Sequence, residues 1–433
     1  MAIVMTTSTA FIEQLRQFLD ASPTPYHAVD NMAVTLAKAG YQALALDSDW
    51  SSLAAGKYYL TCDGGAIIAF HLPPNYDLAK QGIHIVGAHT DSPCLKVKPN
   101  ADIYQHGVLQ LGVEVYGGML LNPWFDRDLS IAGRVHYLDK KAQLQQRLID
   151  FSRPIATIPS LAIHLDRQAN DQRTVNPQQH MAPVLMQCEK DAACFNDVLL
   201  KILQGYDSDI TQIVSYDLSF YDYQTAAIVG LTDDYISSAR LDNLLSCYVG
   251  LQAILQSQSN QASLLVCYDH EEVGSVSPSG AQGPLLSSVL KRLCGNESDF
   301  YRMIEQSMCI SVDNAHAIHP NYADKHDAYH GPMINAGPVI KLNANQRYAS
   351  SSATAAYFSQ LCASVQVPVQ QFVMRNDMRC GSTIGPITAG ELGIKTVDVG
   401  LPSWGMHSIR EHAGTQDAWL LFKVLQQFYA NED

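Results

Sequence analysis

The sequence lacks a long hydrophobic run. No uninterrupted apolar stretch in its 433 residues reaches the roughly 18 residues that a helix needs to cross a bilayer. The first stretch, MAIVMTTSTAFIEQLRQFLD, has neither a basic n-region nor a long apolar h-region, so its pattern predicts a capped amphipathic helix rather than a signal peptide. We therefore expect no membrane span and a cytoplasmic protein.

Positive charge is also scarce. The chain has 28 Lys and Arg against 42 Asp and Glu, which gives a formal net charge of −14. A nucleic-acid-binding protein needs a basic surface, and a protein that docks on anionic lipids needs basic segments. We therefore expect neither nucleic acid nor a membrane among the partners.

The ten cysteines are scattered, and none forms a C-x-x-C pair. In a chain of this length, scattered cysteines favour reduced thiols over a disulfide framework. The missing C-x-x-C pairs also argue against a zinc knuckle built from cysteine.

Short apolar runs alternate with helical patterns in much of the chain. Four runs are typical of buried strands: Ile83 to Val86, ASLLVCY before Asp269, SMCISV before Asp313, and GIKTVDVG before a loop that reaches His407. Helical patterns occur in DNLLSCYVGLQAILQS, SSATAAYFSQLCASV and DAWLLFKVLQQFYA. This alternation predicts an α/β fold with a mostly parallel central sheet flanked by helices.

The middle of the chain has a different composition. It contains Gly-rich and β-branched stretches such as GVLQLGVEVYGGMLLNPW and IAGRVHYLDKK, and a Pro/Asn/Gln-rich stretch near residues 170–183. We interpret residues 96–228 as a β-rich domain inserted into an α/β domain that comprises residues 1–95 and 229–433.

Side chains that can bind metals follow the four predicted strands, and one more precedes a helical pattern. They are His89, Asp242, Glu271, Glu272, Asp313 and His407. Ligands of open α/β sheets gather beyond the carboxyl ends of the strands, so residues distant in sequence can converge there. Imidazole and carboxylate groups both bind zinc, and a shared carboxylate can hold two ions about 3.5–4 Å apart. The pattern therefore predicts a centre for two metal ions.

Each of these residues has a simpler interpretation when it is taken alone. Asp242 precedes a helical pattern and would serve as its N-cap. Glu271 and Glu272 would form a solvated turn, and Asp313 would cap a turn with the next residue. His407 would be an exposed loop residue before a capping box of the form S-x-x-E. The metal hypothesis depends on the whole set.

Several longer stretches resemble the aspartyl aminopeptidase family of metallopeptidases, which also includes a vacuolar aminopeptidase. The matching stretches are GAHTDSPCLKVKP, SARLDNLLSCYVGLQA, DHEEVGS, AHAIHPNYADKH, GPVIKLNANQRYAS, RNDMRCGSTIGPI and MHSIRE, and SPTPYHAV near the start also fits. They occur in the same order as in the family and extend over residues 86 to 411, so the resemblance covers nearly the whole chain.

The resemblance implies a role for each residue of the set. His89 and Asp313 would bind one zinc ion, Glu272 and His407 the other, and Asp242 both, with a cis peptide bond after Asp242. Glu271 would be the general base, and Asp91 would support His89. Two zinc ions per subunit are expected, although other divalent ions such as Mn or Co would also suit these ligands.

The family also implies a substrate and an assembly. The predicted reaction is release of the N-terminal residue from peptides with a free N-terminus, with a preference for Asp or Glu. Lys341 is the first candidate for the cation that such a side chain needs, ahead of Arg347, Arg375 and Arg379. A homo-oligomer, by resemblance a dodecamer, is expected. The resemblance implies that residues 96–228 form its oligomerisation domain and residues 1–95 with 229–433 the catalytic domain, and that His164 would reach the active site of a neighbouring copy.

Three alternatives stay open at this point. The vacuolar relative prefers neutral residues, so the acidic preference does not follow from the family alone. A carboxypeptidase or deacetylase would use a similar pair of metals, and a catalytically inactive binding protein would keep the same fold.

Four further histidines lack the short spacing of a closed zinc site. We interpret them as loop and interface residues that shape or line the cavity, and they are His316, His319, His326 and His330.

Overall fold

The structure is a computed structural model that describes residues 7–189, 194–257 and 260–431. The described residues form two compact units. The first unit takes its residues from Met1–Ser92, Ala226–Met406 and Glu411–Asp433, and the second from Pro93–Thr225 and His407–Arg410. Nowhere in these ranges is a helix long and apolar enough to cross a membrane.

The first unit is built on a mixed sheet in which the described residues supply nine strands. From edge to edge they are Gln42–Ala43, Gly56–Cys62, Ala66–Leu72, Ser263–Tyr268, His84–His89, Met308–Val312, Lys395–Gly400, Val339–Leu342 and Gln370–Val373. The strand that ends at His89 lies at the centre and is parallel to both of its neighbours. The next strand outward, Lys395–Gly400, is parallel to Met308–Val312, whereas antiparallel pairs occur towards both edges. The predicted α/β fold with a parallel centre is confirmed.

Helices cover both faces of this sheet. The described α-helices of the first unit are Ser8–Asp20, Pro25–Lys38, Leu78–Gln81, Leu241–Gln256, Leu285–Cys294, Glu297–Gln306, Ser352–Ser364, Ile384–Leu392 and Asp417–Ala430. Along the central strand, Val86 packs into one apolar core and Ile85 into the other. Because side chains alternate across a strand, the all-apolar runs in the sequence correspond to strands that are buried on both faces.

The predicted N-terminal helix spans Ser8–Asp20 and buries Phe11, Leu15 and Leu19. The hydroxyl of Thr7 caps it by accepting a hydrogen bond from the backbone N–H of Ala10 at 3.3 Å. Residues 1–6 of the same stretch lie outside the described residues.

A smaller sheet lies in the same unit. Its described strands, from edge to edge, are Ala227–Val229, Tyr235–Ser238, Glu411–Gly414, Pro402–Trp404 and Ala315–His316. The alternative of an S-x-x-E capping box after His407 is wrong. Its glutamate, Glu411, begins a strand and does not lie in the first turn of a helix.

The second unit is an antiparallel sheet with six described strands. In spatial order they are Leu144–Asp150, Leu129–Asp139, Ile210–Asp222, Cys94–Gln105, Val108–Tyr116 and Val184–Gln187. Two α-helices accompany it, Pro177–His180 and Phe195–Tyr206, and the second buries Phe195, Leu199 and Leu203 in the core of the unit. This unit also takes in residues 407–410, which the predicted boundaries gave to the other domain. The assignment of a catalytic and an oligomerisation role to the domains stays a prediction.

The buried carboxyl of Asp417 makes stability depend on pH. Its oxygens accept hydrogen bonds from the backbone N–H groups of Asn335 at 2.7 Å and Gly337 at 2.9 Å. Burial raises the pKa of this carboxyl to about 7, whereas an unfolded chain would give about 3.9. The folded protein therefore keeps a proton that the unfolded chain releases, and stability falls as pH rises between these two values.

We expect Asp417→Asn to remove this dependence. The free energy of unfolding of the wild type, minus that of the variant, should decrease between pH 5 and pH 7 by at most about 1.4 kcal/mol per pH unit. Urea unfolding at pH 5, 6, 7 and 8 measures it, with Asp47→Asn at an exposed carboxyl as the control. A difference that stays constant over this range would contradict the prediction.

Candidate metal centre

Polar side chains cluster where the central parallel strands end. His89 is the last residue of the central strand and is buried. Its Nε2 lies 3.4 Å from Asp242 Oδ1 and 3.5 Å from Asp313 Oδ1. Burial alone would lower the pKa of the His89 imidazole, but the surrounding carboxylates, led by Asp242 and Asp313, raise it well above its usual range. The cluster is therefore a place of concentrated negative charge in the protein interior.

Asp242 lies within the first turn of the helix Leu241–Gln256, but its backbone angles are not helical and the peptide bond to Asn243 is cis, as predicted. Its backbone N–H donates to Glu411 Oε2 at 2.9 Å, and its carbonyl accepts from the Ser92 hydroxyl at 2.5 Å. Main-chain contacts thus fix the residue, and its carboxylate faces His89. The N-cap alternative is wrong, because the residue at the N-cap position is Arg240.

The two adjacent glutamates begin the short 3₁₀ turn Glu271–Val273, which is separated from the end of the strand Ser263–Tyr268 by two residues. Both are held through their backbone by one carboxylate, because the N–H groups of Glu271 and Glu272 donate to the two oxygens of Asp91 at 3.1 Å each. Burial raises the pKa of the Glu271 carboxyl to about 7, with His89 opposing and Asp313 assisting the rise. A carboxyl with this pKa is suited to proton transfer at neutral pH.

Asp91 has more contacts than the sequence predicted. Its backbone carbonyl lies 3.0 Å from His89 Nδ1, and its carboxylate oxygen lies 3.4 Å from the same nitrogen. The contact with His89 is made mainly through the carbonyl, and the role of Asp91 in supporting a metal ligand stays a prediction. Hydrogen bonding at Nδ1 directs Nε2 at the cluster, as in metal-binding histidines generally.

Asp313 follows the strand Met308–Val312 and has a buried cationic partner. Lys341, with only 2% of its surface exposed, places Nζ 3.3 Å from Asp313 Oδ2 and 3.1 Å from the carbonyl oxygen of Asn314. Its ammonium group also lies 5.1 Å from the ring centroid of Tyr348. The sequence predicted a cation near the site at Lys341, but it did not predict this ion pair with a proposed ligand.

The other two predicted residues belong to the second unit. His407 has a positive φ of 67° and its Nδ1 lies 2.9 Å from the carbonyl oxygen of Gly118. His164 is exposed in a turn, between Ile163 and Leu165, which are 47% and 74% exposed.

The donor set of the first unit suits zinc. Ligand atoms of His89, Asp242 and Glu272 all lie within 4.8 Å of one another. Zinc binds imidazole nitrogen and carboxylate oxygen at about 2.0–2.2 Å, which places two ligands of a tetrahedral ion about 3.4 Å apart. The separations of His89 Nε2 from the two aspartate oxygens, 3.4 and 3.5 Å, match this value. A divalent ion would also neutralise the carboxylates that surround His89.

Sequence reasoning missed two residues that support the site. Glu411 is 2% exposed and accepts from the backbone of Asp242, and Ser92 donates to the carbonyl of the same residue. Both lie in the stretches that resemble the family, MHSIRE and GAHTDSPCLKVKP. No local pattern marks either one, because each acts on a residue about 150 positions or more away in the chain.

Comparisons with known proteins point to one family of zinc metalloproteases. The profile of a family described as aminopeptidase I zinc metalloprotease (M18) matches residues 18–429. A protein of Ectopseudomonas mendocina named probable M18 family aminopeptidase 2 is 54% identical over 424 residues, which cover 98% of each chain. A Pseudomonas aeruginosa protein of the same name is 52% identical over 421 residues, which cover 97% of this chain and 98% of the relative.

Solved structures of aminopeptidases have the same fold as this chain. A chain from the cryo-EM structure of the Ape4 and Nbr1 complex has a TM-score of 0.94 and 36% identity, and the match covers 99% of this chain and 87% of that one. The S. cerevisiae mApe1 dodecamer has a TM-score of 0.83 and 27% identity over 96% of each chain.

Proposed function

The chain belongs to the M18 family of zinc aminopeptidases, and from this premise we propose that it releases N-terminal Asp or Glu from peptides, with two zinc ions and Glu271 as general base. The observation that carries the proposal is the convergence of His89, Asp242 and Glu272 within 4.8 Å, beside Glu271. Family membership sets aside the carboxypeptidase and deacetylase alternatives. It also makes a catalytically inactive binding protein a poor description, because every proposed ligand type is present.

The proposed ligands form two sets. His89 and Asp313 would hold one ion, Glu272 and His407 would hold the other, and Asp242 would contribute to both. The assignment of His407 comes from the family pattern, and its Nδ1 contact with Gly118 makes Nε2 the nitrogen that would bind the ion. Bound zinc supplies a water of lowered pKa and positive charge for the oxyanion that develops at the scissile carbonyl.

Glu271 acts on protons in this mechanism. Its carboxylate accepts a proton from the attacking water and later passes it to the amine that leaves. The Asp91 carboxylate fixes the turn that carries it, so the base is positioned before substrate arrives. With metal bound, the centre formed by His89, Asp242 and Glu272 would hold the free α-amine of the substrate, and this would restrict cleavage to the first peptide bond.

The second unit contributes in an assembly of several copies. We propose a homo-oligomer, by family resemblance a dodecamer, in which His164 of one copy donates a hydrogen bond to the oxyanion in another. Leu161 and Leu165 near His164 are 59% and 74% exposed, and apolar side chains of this kind favour a surface that another copy covers. A cytoplasmic location stays a prediction.

The acidic preference is tested with purified, zinc-loaded protein. The substrates are p-nitroanilides of Asp, Glu, Leu and Ala, each with a free and an acetylated N-terminus. We expect the highest kcat/KM on free Asp and Glu substrates and no cleavage after acetylation. Preferred cleavage of Leu or Ala substrates would support an aminopeptidase that selects neutral residues and would contradict the acidic preference. Cleavage of acetylated substrates would contradict binding of the α-amine.

The same assay tests Lys341. Lys341→Met removes the buried cation but keeps a side chain of similar length. We expect the ratio of kcat/KM for Asp over Leu substrates to fall by about tenfold or more, because that is the effect of losing one hydrogen bond to a charged group. Arg375→Met is the matched control, because Arg375 pairs with Asp377 at 2.6 Å. Equal losses on both substrates would show that Lys341 supports Asp313 and does not select charge.

A further inference from the structure

The turn that carries the proposed base begins at a histidine. His270 occupies the N-cap position of Glu271–Val273 and has φ 62° and ψ 22°, which lie in the left-handed region. Histidine is one of the non-glycine residues that adopt this region more often than most. Because Asp269 and His270 join the strand that ends at Tyr268 to the turn, the conformation of His270 determines how the side chain of Glu271 is presented.

The backbone of His270 closes the turn. Its carbonyl oxygen accepts hydrogen bonds from the N–H groups of Ser275 at 2.7 Å and Val273 at 3.4 Å, and its own N–H donates to Asp269 Oδ1 at 2.8 Å. Glu271 lies inside the segment that these bonds close. A change in the backbone at His270 would therefore move the proposed base relative to the metal centre.

The ring of His270 ties the turn to the loop that follows it. Its Nδ1 lies 2.8 Å from Ser277 Oγ. The same oxygen accepts a hydrogen bond from the backbone N–H of Gly280 at 2.9 Å, so the single proton of the hydroxyl is available for Nδ1. A Cβ at position 280 would lie 2.3 Å from the carbonyl oxygen of Ser275, so this loop packs directly against the segment that His270 closes.

The geometry of His270 differs from that of a catalytic histidine. In a serine-hydrolase triad a carboxylate accepts a hydrogen bond from the ring nitrogen opposite the serine. Here that nitrogen, Nε2, lies 3.7 Å from Asp269 Oδ2, which is longer than a hydrogen bond. The group of described side chains that could hold a metal ion comprises His89, Asp242 and Glu272 and does not include His270. The ring is therefore placed to shape the turn.

We propose that His270 is a positioning residue for Glu271, and that its hydrogen bond with Ser277 fixes the turn before substrate binds. The Asp91 carboxylate holds the backbone N–H groups of residues 271 and 272, and His270 holds the point at which the chain enters the turn. The inference rests on the proposed function, since it assigns a residue that supports the base of the same reaction.

Three substitutions test this hydrogen bond. His270→Gly permits the left-handed conformation but removes the ring, and Ser277→Ala removes the partner of the ring. In zinc-loaded protein we expect each to lower kcat on Asp-p-nitroanilide by about 10–100-fold, the usual loss when a group that orients a site residue is removed, with KM and zinc content unchanged. His270→Asn should retain most of kcat, because asparagine also adopts the left-handed region and offers a side-chain acceptor.

The matched control is His106→Gly. His106 is an exposed histidine of the second unit with a φ of 50°, so the control makes the same change at a residue of the same conformation. It should leave kcat, KM and zinc content unchanged.

Hydrogen exchange of the metal-free proteins separates this inference from the proposed reaction. Mass spectrometry of peptides that cover residues 269–280 reports opening of the turn. We expect about tenfold faster exchange in His270→Gly and Ser277→Ala, the effect of one lost hydrogen bond, and wild-type exchange in His270→Asn. This result supports the anchor even if the wild type cleaves no anilide, an outcome that would reject only the proposed reaction. Unchanged exchange, unchanged kcat in both variants, or loss of zinc in step with kcat would overturn the positioning role and leave the aminopeptidase standing.

Discussion

Glu271→Gln is expected to lower kcat by about 10²–10⁴-fold, the range that a positioned general base contributes, while zinc stays bound at the wild-type ratio. Gln has the shape of Glu but cannot accept the proton of the attacking water. The turn should be retained, because the Asp91 carboxylate holds residues 271 and 272 through their backbone N–H groups. Steady-state kinetics on Asp-p-nitroanilide and zinc content by elemental analysis measure the two effects.

The matched control is Glu391→Gln, which makes the same change at an exposed glutamate of the first unit and should leave both quantities unchanged. Activity of the Glu271 variant within a few-fold of the wild type would remove the residue from its role as base. Loss of zinc together with activity would instead make it a residue that holds metal.

Asp242→Ala is expected to remove both zinc ions and with them all measurable turnover. The residue is the proposed shared ligand, and its carboxylate lies 3.4 Å from His89 Nε2. Substitution of a residue that only supports a ligand costs about 10–100-fold in metal affinity or activity, so loss of the shared ligand itself should cost more than about 100-fold. Zinc content after dialysis, together with kcat/KM, measures this.

The fold of this variant should survive. The contacts that hold residue 242 come from its backbone, through Glu411 and Ser92, and they remain when the side chain is shortened. Asp417→Asn is the matched control, because it also changes a buried carboxyl, but one that hydrogen-bonds to the backbone N–H groups of Asn335 and Gly337. If Asp242→Ala still bound two zinc ions per chain, the shared-ligand assignment would be wrong.

The sequence was informative where one local pattern decides the structure. Continuous apolar runs mark strands that are buried on both faces, and parallel neighbours end at the same edge of a sheet. This rule explains why His89 lies beside Asp313 although the two are 224 positions apart in the sequence. The strands His84–His89 and Met308–Val312 are parallel neighbours. The cis peptide bond after Asp242 was predicted from the family resemblance alone.

Contacts that depend on tertiary structure were beyond the sequence. The Asp91 carboxylate reaches the backbone of residues 180 positions away, and the Glu411 carboxylate reaches Asp242 across 169 positions. Both are bonds to a main-chain group, which every residue offers, so no residue type at the other end signals them. The ion pair of Lys341 with Asp313 is of the same kind, because a lysine in an apolar strand does not reveal which carboxylate it faces.

The histidine-rich segment shows how an interpretation becomes specific. From sequence, His316, His319, His326 and His330 together were loop and interface residues that shape or line the cavity. The structure places the first three around one cavity and leaves His330 paired with Asp327. The sequence did not predict that the buried hydroxyl of Ser403 would lack a hydrogen-bond partner among the described residues, because distant chain segments decide whether a serine is buried.

Zinc titration of the metal-free protein tests the central claim most directly. Zinc is removed with a chelator and added back in steps, and metal binding and hydrolysis of Asp-p-nitroanilide are followed in the same samples. The account predicts no turnover without metal and full turnover at two zinc ions per chain, with neither effect in Asp242→Ala. Full turnover by the metal-free protein, or no stoichiometric binding of zinc, would contradict it.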